Sequence, residues 1–99
     1  MTYQIIRQAI VERRCASAFY KDYVRTFCPR AIGRDKSGTE IVAVFQYGGG
    51  CAGGLPLGGK WCCFRVNAID VISVTTDAWQ TGNPRGRRAG WVRNIDVES

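Results

Sequence analysis

The residues of this sequence best suited to bind a ligand are arginines placed on strand-like segments. Three arginines lie within or beside extended apolar segments: Arg25, Arg30 and Arg65. Alternation along 61–66 puts Trp61 on the same strand face as Arg65, opposite the apolar face. A guanidinium beside an aromatic ring fits an anionic, planar ligand such as a nucleotide or an unstacked base. The alternative is that Arg65 forms a structural ion pair with Asp70 or Glu40.

The charge of the chain also favours an anionic partner. Fourteen Lys and Arg face eight Asp and Glu in 99 residues, for a formal net charge of +6. Residues 1–36 alone carry eight basic and three acidic side chains. Such a field attracts nucleic acid or nucleotides, although a basic surface can equally serve solubility. By charge alone, Lys21 and Lys60 join the candidate binding residues.

Several catalytic classes are excluded by composition. The chain has no histidine, which removes Ser-His-Asp and Cys-His nucleophile systems and histidine-containing zinc sites. Its carboxylates are isolated in sequence, so we predict no enzyme activity, no metal and no cofactor. The five cysteines are an odd number without a Cys-x-x-Cys motif, and they predict reduced, structural thiols in a cytoplasmic protein. Cys51, in a glycine-rich segment, is the best candidate for a reactive thiol. No apolar run is long enough for a membrane span.

The glycine-rich segment 48–59 matches two phosphate-binding patterns only superficially. Seven of its twelve residues are glycine, and Gly48, Gly50 and Gly53 satisfy Gly-x-Gly-x-x-Gly. A dinucleotide site needs a helix to open there, whereas a strand-like segment follows. The near P-loop that ends at Lys60 lacks the Ser or Thr that binds magnesium. The segment is therefore either a flexible connection or a lid over a binding site.

The elements that must position these residues are one helix and several short strands. Ile6, Ala9 and Ile10 fall at helical spacing in a helix over 3–14, with Thr2 as its N-cap. Lys21-Asp22 predicts a hairpin turn, and Pro29 predicts a bulge or a strand edge. Strand-like segments cover 15–20, 23–28, 30–33, 40–47, 60–66, 71–76 and 91–97.

This order predicts a mainly β fold with one N-terminal α-helix, in which about five strands form a small antiparallel Sm/SH3-like β-barrel. The prediction places a single domain at 1–76. A basic, turn-rich extension follows at 77–99, with one added edge strand. Trp79 and Trp91 in this extension are candidate anchors for a protein partner.

Three stretches of the chain resemble the WYL domain family. They are Ala9-Ile10-Val11-Glu12-Arg13-Arg14 with Ala18-Phe19-Tyr20, Val24-Arg25-Thr26-Phe27-Cys28-Pro29-Arg30-Ala31-Ile32-Gly33, and Cys63-Phe64-Arg65-Val66-Asn67-Ala68-Ile69-Asp70-Val71-Ile72. They look like the basic end of the family's first helix with the tyrosine-bearing strand after it, its Arg-x-x-x-Pro element, and its Phe-Arg-hydrophobic element. The resemblance covers about residues 3–76. The Trp-Tyr-Leu tripeptide that names the family is absent near 41–44.

The resemblance implies an Sm/SH3-like barrel and a regulatory ligand-binding module of prokaryotes and their phages, linked to transcription regulation and phage defence. It implies a basic pocket of Tyr20, Arg25, Arg30 and Arg65. Together with the residues, it predicts a non-catalytic module that binds single-stranded nucleic acid or a nucleotide-like anion. The alternative is a protein-interaction or homodimerisation module that serves as an accessory subunit of a larger regulator.

Overall fold

The computed structural model describes residues 1–82 and 90–99 and contains one α-helix and six strands. The elements are α1 (Thr2–Glu12), β1 (Ala16–Tyr20), β2 (Tyr23–Arg34), β3 (Glu40–Gly49), β4 (Lys60–Arg65), β5 (Asp70–Val74) and β6 (Asn94–Glu98), with a 3₁₀ turn at Val66–Ala68. The predicted mainly β fold with an N-terminal helix is confirmed. No helix in the described ranges is long and apolar enough to cross a membrane.

Helix α1 packs one apolar stripe on the sheet. Ile6, Ala9 and Ile10 are buried at helical spacing, as the periodicity predicts. The helix begins at Thr2, after Met1, so Thr2 is its first residue rather than its cap. It ends at Arg13, which adopts a left-handed conformation, and its N–H bonds the carbonyl of Ile10 at 3.2 Å.

The six antiparallel strands form an open sheet in the order β4-β3-β2-β1-β5, and β6 pairs with β2. Strands β4 and β5 stand at the two ends and do not pair with each other in the described residues, whereas the sequence predicted a barrel. Strand β2 is the longest, with 12 residues. Its first half pairs with β1, its second half pairs with β6, and β3 follows both halves.

Two local features of β2 match the sequence. Lys21 and Asp22 form the predicted β1–β2 turn, with φ values of 45° and 70°. The β2–β3 register shifts between Pro29 and Ala31, where a bulge is predicted, and again between Thr26 and Phe27. Each shift changes which side of the sheet the following side chains face.

The sheet has two differently covered faces. The first face carries Val42, Val44 and Phe64 and packs against α1 in the larger apolar core. The second face carries Ala43 and Phe45, and in part the C-terminal extension covers it. There Val92 packs against Ala43, and Gly82 lies against the Phe45 ring.

The extension also adds the last strand. The sequence places a strand at 91–97, and the structure has β6 at Asn94–Glu98. The Asp96 carboxylate on β6 accepts hydrogen bonds from the Tyr3 hydroxyl at 2.8 Å and from Arg7 Nε at 3.0 Å, which ties β6 to α1. The predicted turn residues Asn83, Pro84 and Gly86 lie outside the described residues.

Candidate anion-binding site

Arg25 lies on the first face, where the β1–β2 hairpin meets the end of β3. Its side chain is buried, and the residue is 7% exposed. Arg25 Nε donates to the Tyr20 carbonyl at 2.9 Å, Nη1 to Gln46 Oε1 at 3.4 Å, and Nη2 to the Lys21 carbonyl at 3.5 Å. All three acceptors are neutral oxygens, and the two Nη bonds are longer than usual for N–H···O bonds.

Three aromatic rings surround the same guanidinium. Its central carbon lies 5.2 Å from the Tyr20 ring centroid, 5.3 Å from that of Phe64 and 5.6 Å from that of Tyr23. Tyr20 and Phe64 stack on each other at 4.3 Å. Tyr23 is the exposed member, at 38%. The rings supply cation–π attraction, and Tyr23 offers an accessible ring face at the surface.

The positive charge of Arg25 has no acidic partner. In the ranges 1–82 and 90–99, no salt bridge involves Arg25; the nearby acceptors are amide oxygens. A buried cation is normally paired with a carboxylate, because removal from water is costly. The site is therefore electrostatically incomplete, and an anion would complete it.

Gln46 holds the β3 end of the site in place. It is fully buried, and Nε2 donates to the carbonyls of Gly48 and Gly50, both at 3.0 Å. Gly49 has a φ of 81°, and a Cβ there would lie 2.1 Å from the Val24 carbonyl oxygen. The start of the glycine-rich segment thus lies close against β2, which brings it beside Arg25.

Two lysines stand around this group. The Lys21 ammonium lies 5.6 Å from the Tyr20 ring centroid, and Lys60 pairs directly with Gln46 across β3 and β4. Both lysines are exposed. Burial raises the pKa of the Cys62 thiol, while Lys60 and Arg25 both act to lower it, so the two cations lie near one thiol. We call Tyr20, Lys21, Arg25, Gln46 and Lys60 the Arg25 site.

Arg65 touches this site through its backbone. Its N–H donates to the Tyr20 hydroxyl at 3.0 Å, while the residue itself is exposed. The predicted alternation along β4 is confirmed, since Phe64 and Val66 are buried. In the described part of the chain, Arg65 forms no salt bridge with Asp70 or Glu40, and Glu40 bonds Arg34 at 3.4 Å instead.

Arg30 and Trp61 lie on the second face, away from the Arg25 site. The Arg30 guanidinium lies between two rings, 5.2 Å from Trp61 and 5.3 Å from Trp79. Arg30 Nη1 donates to the Thr81 carbonyl at 2.7 Å, and Nε donates to the carbonyl of Ser99 at 3.3 Å. The structure therefore does not bring all the predicted binding residues together. It groups Tyr20, Lys21, Arg25 and Lys60, and it places Arg30 and Trp61 under the C-terminal extension.

Sequence reasoning missed Gln46, Tyr23 and Phe64 as members of the environment of Arg25. Gln46 carries the clearest available signal, because an amide in the most apolar strand of the chain must find buried partners. The candidate reactive thiol Cys51 is buried at 6% exposure, although it follows three glycines.

The comparisons with known proteins give no match: no family model, no curated protein and no solved structure is similar to this chain at a significant level. The resemblance to WYL domains is therefore not tested by them.

Proposed function

We propose that this protein is a non-catalytic binding module whose Arg25 site takes an anionic ligand, either single-stranded nucleic acid or a nucleotide-like molecule. The observation that carries the proposal is the buried Arg25 guanidinium, which has aromatic and amide neighbours but no carboxylate partner in the described residues. A phosphate oxygen is a stronger acceptor for its Nη groups than the distant amide oxygens of Gln46 and Lys21.

The surroundings of Arg25 favour a ligand that combines phosphate with a planar ring. Lys21 and Lys60 add positive charge at the surface, where phosphate contacts dominate affinity. The exposed ring of Tyr23 can stack on a base, an interaction that every nucleobase permits. Charge and stacking together therefore favour nucleotides over simple inorganic anions.

The fold supports a related proposal, that the sheet is an open form of the Sm/SH3-like barrel. Strands β1 and β4 are three positions apart in the sheet, yet Tyr20 on β1 stacks on Phe64 on β4 at 4.3 Å. Only a strongly curled sheet brings these strands together. With the resemblance to WYL domains, this supports a regulatory role in prokaryotic transcription or phage defence.

Charge-removing variants test the proposed site. We expect Lys21→Ala combined with Lys60→Ala to reduce the salt dependence of oligonucleotide binding by about 1.4 in log K against log salt, at about 0.7 for each lost phosphate contact on a single strand. Arg25→Gln removes the charge but keeps an amide, and we expect at least about a tenfold loss of affinity. Lys36→Ala, at the opposite end of β2, is the matched control and leaves binding unchanged.

The assay is fluorescence anisotropy with a labelled single-stranded oligonucleotide and a labelled mononucleotide, at two salt concentrations, with circular dichroism of each variant. Equal affinity for the two probes identifies a nucleotide-like ligand, and preference for the oligonucleotide identifies nucleic acid. If the folded double lysine variant keeps the wild-type affinity and salt dependence, or if neither probe binds the wild type, the proposal is wrong.

A specific observation favours a second candidate, self-association through β5. This strand lies at one end of the sheet, and Phe19, Val24 and Val71 beside it are 42%, 60% and 85% exposed. An open edge beside apolar side chains is suited to strand addition by a second copy. Trp79 and Trp91 already have contacts within the chain. Sedimentation at several concentrations tests this candidate, which a strictly monomeric protein would rule out.

A further inference from the structure

Cys15 and Cys28 face each other across two antiparallel strands. The β1–β2 register pairs Ala16 with Phe27, and one further step places Cys15 opposite Cys28. Both residues are fully buried, and their Sγ atoms are 2.9 Å apart. Both thiols are free in the structure. The two sulfur atoms are thus already adjacent in the folded chain.

The backbone at this position fits a covalent bond without moving. Directly opposite residues of an antiparallel pair have Cα atoms about 4.5–5.5 Å apart. Disulfides span Cα distances of about 4.4–6.8 Å, which includes that range. A bond between Cys15 and Cys28 therefore requires only a small rotation of the side chains.

The C-terminal extension covers the two thiols and controls access to them. Cys15 Sγ donates to the Ala78 carbonyl at 3.4 Å, and the Gln80 N–H donates to Cys28 Sγ at 3.2 Å. Burial and the contact with Cys15 raise the pKa of the Cys28 thiol to about 12. Little thiolate is present at neutral pH, so reaction must be slow and must follow movement of the segment 78–80.

We propose that Cys15 and Cys28 form a reversible intramolecular disulfide when the protein meets a low-molecular-weight disulfide oxidant. One thiol loses its proton and attacks a sulfur of the oxidant, which breaks the S–S bond and releases one small thiol. The second protein thiol then attacks the mixed disulfide and releases the other. The two protein sulfurs lose two electrons, the oxidant gains them, and the two protons leave with the released thiols.

The disulfide alters the contact that covers it. Cys15 no longer carries the S–H that donates to the Ala78 carbonyl, so the segment 78–80 loses one attachment. The same segment carries Trp79, which stacks on Arg30. Oxidation at the base of the β1–β2 hairpin is therefore coupled to the covering of the second face. This inference is independent of the proposed anion binding.

Mapping of the linked peptides in the wild-type protein tests the proposal. The folded protein is equilibrated with oxidised and reduced glutathione, remaining thiols are alkylated in urea, and the chain is cut with trypsin. Lys21 and Arg25 separate the two cysteines, so the disulfide joins peptide 15–21 to peptide 26–30. Cys51 lies in peptide 37–60, and Cys62 and Cys63 lie together in 61–65. We expect the linked pair 15–21/26–30, a loss of two hydrogens, and reversal by dithiothreitol.

The folded geometry must also favour the bond. We expect the equilibrium constant for oxidation of this pair to be at least about tenfold larger in buffer than in urea, because the fold holds the sulfurs together. A triple variant, Cys51→Ala with Cys62→Ala and Cys63→Ala, keeps the result, and Cys15→Ala abolishes it. Equal constants in buffer and urea, or a bond that maps to peptides 37–60 or 61–65, would overturn the proposal. The wild-type mapping decides the question even if a variant fails to fold.

Discussion

Replacement of Tyr20 by phenylalanine tests the assignment of its hydroxyl to structure and of its ring to the Arg25 site. The hydroxyl accepts a hydrogen bond from the Arg65 N–H at 3.0 Å, which links the end of β1 to β4. The ring lies 5.2 Å from the Arg25 guanidinium and stacks on Phe64 at 4.3 Å. Tyr20→Phe removes the first interaction and keeps the other two.

The expected cost follows from the surroundings of that hydrogen bond. An intramolecular hydrogen bond contributes about 0.5–1.5 kcal/mol, and more is lost only when the remaining partner is left buried. Arg65 is exposed, so water can reach the freed N–H. We therefore expect a loss of about 1 kcal/mol in the free energy of unfolding, which for a domain of this size lowers the Tm by about 4–8 °C. The urea midpoint falls by about 0.5–1 M.

Urea unfolding followed by circular dichroism measures this loss, and oligonucleotide anisotropy measures binding in parallel. Tyr23→Phe is the matched control, because the Tyr23 ring also faces Arg25 but the residue is exposed and its hydroxyl has no partner in the described residues. We expect its stability to change by less than about 0.5 kcal/mol. The reasoning fails if Tyr20→Phe is as stable as the wild type, or if Tyr23→Phe loses as much stability.

Three further predictions concern stability. Gly49→Ala places a Cβ 2.1 Å from backbone at a φ of 81°, and we expect a loss of at least about 2 kcal/mol in urea unfolding; Gly53→Ala, with the same φ and open space, costs about 1 kcal/mol. Hydrogen bonds from Tyr3 and Arg7 lower the pKa of Asp96, so its stabilising effect is complete above the unfolded pKa of about 4 and disappears as pH falls through the lower folded value. Asp96→Asn should therefore be less stable than the wild type at pH 6 and equal to it near pH 2. Trp79→Ala removes one ring from Arg30, and we expect it to lower the free energy of unfolding by about 1–2 kcal/mol in thermal denaturation.

Each of these has a result that would contradict it. Equal losses for Gly49→Ala and Gly53→Ala would show that the close approach to β2 is relaxed in solution. A constant difference between Asp96→Asn and the wild type from pH 6 to pH 2 would show that the carboxylate charge does not matter. An unchanged Tm for Trp79→Ala would show that the extension is not fastened through this ring.

Regular elements could be predicted from the sequence because their periodicity is local. Ile6, Ala9 and Ile10 define the helix stripe, and the alternation around Phe64 gives the correct buried face of β4. The hairpin turn at 21–22 follows from two adjacent polar residues. These signals need no knowledge of the rest of the chain.

The grouping of the arginines could not be predicted in this way. Two register shifts lie between Arg25 and Arg30, so counting residues along β2 does not give their relative faces. The covering of Trp61 depends on Trp79, in a segment with no helix or strand periodicity. Closure of the barrel likewise depends on how far the sheet curls, which no single strand encodes. Long-range contacts, rather than local patterns, decide these points.

The pairing of β2 with β6 has a consequence for the order in which this chain can fold during synthesis. Residues 31–34 are translated early, but the partners that cover them, 94–98, are made more than 60 residues later. Until then, one edge of β2 exposes unpaired backbone groups, and α1 lacks the Asp96 contact. Such non-local closure is slow, and open edges bind other chains. A nascent chain halted before residue 94 should therefore be the form most prone to aggregate or to recruit a chaperone.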